Sequence, residues 1–181
     1  MNEIKIIIVE DNLINRKLLK LLFKSLPEVK VVGEAYNGVE LLKLLPLFSS
    51  IDLIIMDIEM PNMNGIEATE EIKKLYPKLK VLCNSFYVDA YHIQKMIEAG
   101  ACGYIRKDSS LDSYKEAIYT TINHGVYLSE DINDKTYKKV FNELKKSLLA
   151  KKCYLIDIPN RYLNLNGCAF FHLTLKINFT I

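Results

Sequence analysis

The stretch LIIMDIEMPNMNG, residues 53–65, decides how the rest of the chain is read. Leu53, Ile54, Ile55 and Met56 form an unbroken apolar run, the pattern of a strand buried on both faces, and Asp57 stands where such a strand emerges. Pro61 and Asn64-Gly65 mark a turn behind it. Two readings are open at this point. Either Asp57 caps the turn, or the strand is a rigid mount that delivers one carboxylate to a place of chemistry.

Outward from that segment, short apolar runs alternate with helical patterns. Upstream, residues 4–9 read as a β-branched strand ending in Glu10-Asp11. Asn12 is a good helix cap, and Leu18, Leu19, Leu22, Phe23 and Leu26 follow helical spacing up to Pro27. Residues 29–35 form a second strand. Asn37-Gly38 turns the chain into a second helix that stops at Pro46. The third strand covers residues 51–56. Downstream, Asn64 caps a helix carrying Ile66, Ala68, Ile72 and Leu75 that ends before Pro77. Strands over residues 79–84 and 102–106 are followed by helices over 91–99 and 110–124, closed by Gly100 and Gly125. Five βα units require a parallel sheet with helices on both faces, because each crossover helix carries the chain back. In such sheets, sites form beyond the carboxyl ends of the strands, where the strand order reverses.

The bulk numbers agree with this class. A chain of 181 residues with 50% hydrophobic and 25% charged residues holds one sizeable domain, with room for a small appendage. Residues 1–124 carry 15 Lys and Arg against 17 Asp and Glu, and residues 125–181 carry 9 against 5. The first part is therefore slightly acidic and the tail mildly basic. Cys83, Cys102, Cys153 and Cys168 make no CxxC pair and no metal-ligand spacing, so free thiols in a reducing compartment are expected. The opening MNEIKIIIVEDN lacks a leader's basic n-region, and no run reaches the length of a membrane span. A soluble, cytoplasmic protein is expected.

The residues at the strand ends carry the chemistry. Strand one delivers Glu10 and Asp11, strand three Asp57 with Glu59 two residues on, strand four Ser85, and strand five Lys107. Singly, each is a plausible turn residue. Together they place acids, a hydroxyl and a lysine on one edge. Clustered carboxylates raise one another's pKa unless a cation neutralises them, and an oxygen-rich set with few ligands suits Mg²⁺. A lysine and a hydroxyl opposite supply donors for a phosphoryl group.

The motifs IIIVEDN, DLIIMDIEMPNMNGIEA, Ser85 after strand four, and AGACGYIRKD resemble the receiver domain of two-component response regulators, over roughly residues 2–125. VVGEAYNG and the ending at Lys107-Asp108 are similar to the NarL/FixJ (LuxR-type) subgroup. The resemblance implies a flavodoxin-like, doubly wound, five-stranded parallel sheet of order 2-1-3-4-5. It implies that Asp57 accepts phosphoryl from a sensor histidine kinase. Asp11 would bind Mg²⁺ directly, Glu10 through water, and Glu59 through its backbone carbonyl. Lys107 would pair with phosphoryl oxygens, Ser85 would bond the phosphoryl group, and Tyr104 would change position in response. The output face would be the fourth helix, fifth strand and fifth helix. Such a protein is a switch that is phosphorylated and dephosphorylated with Mg²⁺, rather than an enzyme with a separate substrate. Three residues depart from the common pattern: Asp108 where many members have proline, Asn64 in place of aspartate, and Asn84. The last is expected to influence Ser85.

Residues 126–181 do not continue the NarL/FixJ pattern into a recognisable helix-turn-helix. Residues 126–152 read as a linker with a basic amphipathic helix, in which Tyr137, Val140, Phe141, Leu144 and Leu148 share a face among seven lysines. Residues 153–181 form an atypical tail. Alternating apolar positions from Ala169 to Ile181 and the turn signal Asn166-Gly167 suggest a β-hairpin, while loss of the reading frame would leave a disordered end. A DNA-binding regulator with a truncated or divergent output domain is the alternative function, with duplex DNA and a second copy as further candidate partners. A haloacid-dehalogenase-like phosphatase would need aspartate at position 59, and a dinucleotide-binding domain would need GxGxxG. Neither is present.

Overall fold

The computed structural model describes residues 3–123 and 127–129. In chain order the elements are β1 (Ile4–Val9), α1 (Leu13–Lys24), β2 (Val29–Ala35), α2 (Gly38–Leu44), a 3₁₀ turn (Leu45–Leu47), β3 (Leu53–Met56) and α3 (Gly65–Leu75). They are followed by β4 (Lys80–Ser85), α4 (Ala90–Glu98), β5 (Gly103–Arg106), α5 (Leu111–Asn123) and β6 (Tyr127–Leu128). The sheet order is β2-β1-β3-β4-β5-β6, and every pairing is parallel. The expected 2-1-3-4-5 arrangement is present, with one more strand at its edge. The expectations for residues 130–181, the amphipathic helix and the hairpin, lie outside the described residues.

Successive strand residues point to opposite faces, and each face has its own core. Ile7, Val9, Ile54, Met56, Val81, Cys83 and Tyr104 pack with Leu41 of α2, Ala68 and Ile72 of α3, and Ile93, Met96 and Ile97 of α4. Ile6, Ile8, Leu53, Ile55, Leu82 and Ile105 pack with Leu19 and Phe23 of α1 and Tyr114, Ala117 and Ile118 of α5. All four β3 residues are buried, and each such side chain contributes about 1.5–3 kcal/mol of hydrophobic stabilisation. That burial makes β3 a stiff mount for whatever follows it.

Helix starts agree with the capping residues. Asn12 Oδ1 accepts from the N–H groups of Ile14 and Asn15. Asn64 and Glu67 form a reciprocal capping box at α3. Asp89, which opens α4, accepts from Tyr91 and His92. Gly100 takes φ +108, a left-handed conformation that closes α4 as its glycine predicts.

The sixth strand is the feature that the sequence pattern does not announce. Tyr127 N donates to the Cys102 carbonyl at 3.2 Å, and Ser129 N to the Tyr104 carbonyl at 3.0 Å. Two residues are too short for a period-two signal. Their placement covers the edge of β5 that would otherwise stand open.

Candidate functional site

Strand order reverses between β1 and β3, and their carboxyl ends open into a cleft of about 600 Å³. Glu10, Asp11, Asp57, Glu59, Ser85 and Lys107 all line it. Main-chain bonds fix the floor: Glu10 N donates to the Ala35 carbonyl at 3.0 Å and Asp57 N to the Val9 carbonyl at 2.9 Å. Carboxylate oxygens of Glu10, Asp11 and Asp57 lie within 4.8 Å of one another. Glu10 and Asp57 are buried and Asp11 is exposed, so the cluster has a closed back and an open front.

Lys107 bridges the two buried acids. Its Nζ lies 2.7 Å from Glu10 Oε2 and 2.8 Å from Asp57 Oδ2. Asp57 Oδ1 accepts from the Ile58 N–H at 2.7 Å. Burial pushes the Asp57 carboxyl up from an ordinary 3.8 to about 6, and the Glu10 charge adds to this against the hydrogen bond and charge of Lys107. Burial also acts to lower the Lys107 ammonium. The hydrogen bonds and charges of Asp57 and Glu10 outweigh it, leaving Lys107 above its ordinary value. One ammonium shared by two carboxylates is thus over-supplied with counter-charge, while Asp57 remains under-supplied.

Three carboxylates and one ammonium leave about two negative charges uncompensated when all are ionised. A divalent cation held through oxygen atoms would balance them. The 4.8 Å spread is close to the span of about 4 Å across a small hard cation such as Mg²⁺. The acidic cluster therefore fits a metal ion. Glu59 lines the cleft, but its carboxylate is outside that cluster.

The remaining expected residues sit at the rim and beneath it. Ser85 is buried, and its Oγ accepts from the Tyr87 N–H at 3.1 Å. Tyr104 is fully buried, with its hydroxyl donating to the Tyr87 carbonyl. The ring that the resemblance expects to move is thus already inside, tied to the loop after β4. Asn84 does not bond Ser85. Its side chain is on the opposite face, accepting from the Tyr114 hydroxyl at 2.6 Å.

Several contributors were not singled out from sequence. Asn15 Nδ2 donates to Glu10 Oε1 at 3.3 Å, and Arg16 Nη1 donates to the Glu10 carbonyl. Both lie on the first turn of α1, where a side chain reaches back toward the preceding acids, and that spacing was legible. Phe86, itself exposed, places its ring centroid 5.6 Å from Lys107 Nζ at the mouth.

Comparison with known proteins agrees with this geometry. The response regulator receiver domain model matches residues 6–119. The chain is 34% identical over 162 residues to the transcriptional regulatory protein LnrK of Bacillus subtilis, covering 90% of this chain and 71% of that one. It is 32% identical over 145 residues to the transcriptional regulatory protein DegU of Brevibacillus brevis, covering 78% of this chain and 61% of that one. The chain therefore spans only part of these relatives' lengths. Among solved structures, a LuxR-family two-component response regulator from Aurantimonas superposes with TM-score 0.70 at 27% identity, covering 80% of this chain and 99% of that one. The order of the parallel strands, the acids at their carboxyl ends and these matches together make the chain a member of the response regulator receiver family.

Proposed function

We propose that Asp57 is the phosphoryl acceptor of this receiver and that Mg²⁺ is its cofactor. The observation that carries this is the buried Asp57 carboxylate, within 4.8 Å of Glu10 and Asp11 oxygens and 2.8 Å from Lys107 Nζ. With its carboxyl at about 6, Asp57 is mostly ionised at neutral pH, as an attacking oxygen must be. It forms the new P–O bond while the P–N bond of a kinase phosphohistidine breaks. Asp11 and Asp57 would hold the metal directly, Glu10 through water, and Glu59 through its carbonyl. Bound Mg²⁺ supplies charge neutralisation to the transferring group. Lys107 exchanges part of its hold on Asp57 for a phosphoryl oxygen, and Ser85 donates its hydroxyl to another. Displacing Ser85 Oγ from the Tyr87 N–H disturbs the loop that Tyr104 anchors, which links phosphorylation to α4, β5 and α5.

The family implies a sensor histidine kinase as the donor. The exposed side chains of Leu13, Ile14, Leu18 and Leu21 on α1, beside the cleft, suit the apolar face of such a partner. Incubation with acetyl phosphate and Mg²⁺, read by intact mass, tests the acceptor. Wild type gains one base-labile phosphoryl group and Asp57→Asn gains none; equal uptake by both would remove Asp57 from the role.

A second reading, DNA binding, is favoured by the names of the two curated relatives, both transcriptional regulatory proteins. It predicts duplex binding that weakens steeply with salt and strengthens on phosphorylation. A flat titration at low salt excludes it. The receiver domain would then be residues 1–125, with β6 (Tyr127–Leu128) added at its sheet edge, the rest of 126–152 the linker and basic helix, and 153–181 the tail, with a second copy as partner on the duplex. No helix among the described residues is long and apolar enough to cross a membrane.

A further inference from the structure

Asn84 and Tyr114 are a buried polar pair on the sheet face opposite Ser85, and they lie outside the cleft. Each is 1% exposed. Apolar residues of similar shape would fill this space without the cost of desolvating an amide and a phenol. What the polar pair adds is direction. The Tyr114 hydroxyl donates to Asn84 Oδ1 at 2.6 Å and has longer contacts with the carbonyls of Arg106, at 3.3 Å, and Lys107, at 3.4 Å. A hydroxyl has one proton, so Asn84 takes most of it and the carbonyls receive a weaker share. The Tyr114 ring is held edge-on by Phe23, with centroids 5.6 Å apart.

β5 ends at Arg106, so Lys107 stands beyond the ladder that aligns the strand. One hydrogen bond and one longer contact reach its main chain. The Lys107 N–H donates to the Ser85 carbonyl at 3.1 Å, and the Lys107 carbonyl faces the Tyr114 hydroxyl. We propose that Asn84 and Tyr114 are a positioning pair for Lys107: they join the ends of β4 and β5 to α5 and so set where the Lys107 ammonium meets Asp57. The proposal rests on the reading of Lys107 as the residue that stabilises the transferring phosphoryl group.

Tyr104, from the other face, ties the loop after β4 through the Tyr87 carbonyl. The strand ends that deliver Ser85 and Lys107 are thus clamped by a tyrosine hydroxyl on each side. The Tyr114 clamp also gives α5 a direct mechanical link to Lys107, separate from the link through Ser85 and Tyr104.

The test compares Tyr114→Phe with the double variant Asn84→Leu, Tyr114→Phe. The single variant leaves the Asn84 amide without its buried partner, and its melting temperature falls by several degrees. The double variant removes both polar groups and recovers most of that loss. Phosphorylation by acetyl phosphate with Mg²⁺ is timed by intact mass, Mg²⁺ affinity is measured by calorimetry, and the Lys107 ammonium is followed by nitrogen-resolved NMR. Positioning predicts about tenfold slower phosphorylation in both variants, unchanged Mg²⁺ affinity, and a shifted Lys107 signal even where the melting temperature recovers. Recovery of rate and Lys107 signal together with stability would reduce the pair to packing, and a parallel loss of Mg²⁺ affinity would place its action elsewhere. If wild type accepts no phosphoryl group, the acceptor reading fails; the Lys107 signal in the double variant then decides the positioning on its own.

Discussion

Replacing Asp57 with asparagine stabilises the metal-free protein at neutral pH, and the gain disappears in acid. Asp57 is 5% exposed, Glu10 lies beside it, and the two acids share the Lys107 ammonium. Its rise from 3.8 to about 6 means that the folded state binds more protons than the unfolded one across that window. Stability therefore falls as pH climbs from 3.8 to 6 and stays lower above it, by about 3 kcal/mol at 1.36 kcal/mol per pKa unit. Asparagine carries no charge and resembles the protonated acid. It also turns two donors toward Lys107, which costs about 1 kcal/mol. A net gain of about 2 kcal/mol is expected at pH 7.5, falling to nothing or a slight loss below pH 4. Urea denaturation of both proteins in chelator-containing buffer across this pH range measures it. Adding Mg²⁺ then stabilises wild type more than Asp57→Asn, because one ligand is gone. A variant no more stable at pH 7.5, or a gain that ignores pH, would show that the cluster does not bear the uncompensated charge deduced for it.

Three other substitutions probe the frame around that carboxylate. In Gly65→Ala the new Cβ stands 1.9 Å from the Asp57 carbonyl oxygen, so the turn between β3 and α3 must shift; a loss of about 2–4 kcal/mol in urea is expected, and wild-type stability would contradict the tight approach. Lys107→Ala leaves two buried carboxylates face to face and costs about 3–5 kcal/mol at pH 7.5. That loss shrinks at pH 5 as Asp57 takes up a proton, so melting curves at the two pH values must diverge. Tyr104→Phe removes the hydroxyl bonded to the Tyr87 carbonyl, at a cost of about 1 kcal/mol. Amide hydrogen exchange should accelerate in residues 86–89 and remain slow in β1 and β3, and unchanged exchange in that loop would refute the anchor.

The elements were legible because local chemistry and tertiary demand agree here. The apolar run of β3 reads as buried on both faces and is, since helices cover the sheet from each side. Asn12 and Asn64 cap the helices they were expected to cap, because a short amide satisfies orphan N–H groups whatever lies around it. The candidate site was legible for a topological reason: in a parallel sheet every strand delivers its carboxyl end to the same edge, so residues just after strands converge. Strand β6 was not legible, because two residues carry no period.

By itself, then, the sequence determined the alternation of strands and helices, the 2-1-3-4-5 order through its family motifs, and the set of polar residues at the strand ends. Only the tertiary structure decided how those residues share charge. It placed Lys107 between Glu10 and Asp57, left the Glu59 carboxylate outside the cluster, and buried the Tyr104 ring against the loop after β4. It also sent Asn84 to the face away from Ser85, where Tyr114 meets it across 30 residues of chain. The reason is that hydrogen bonds and charge pairing depend on distances of a few tenths of an ångström between segments remote in sequence. Residue patterns encode which face a side chain takes, and packing alone sets what it finds there.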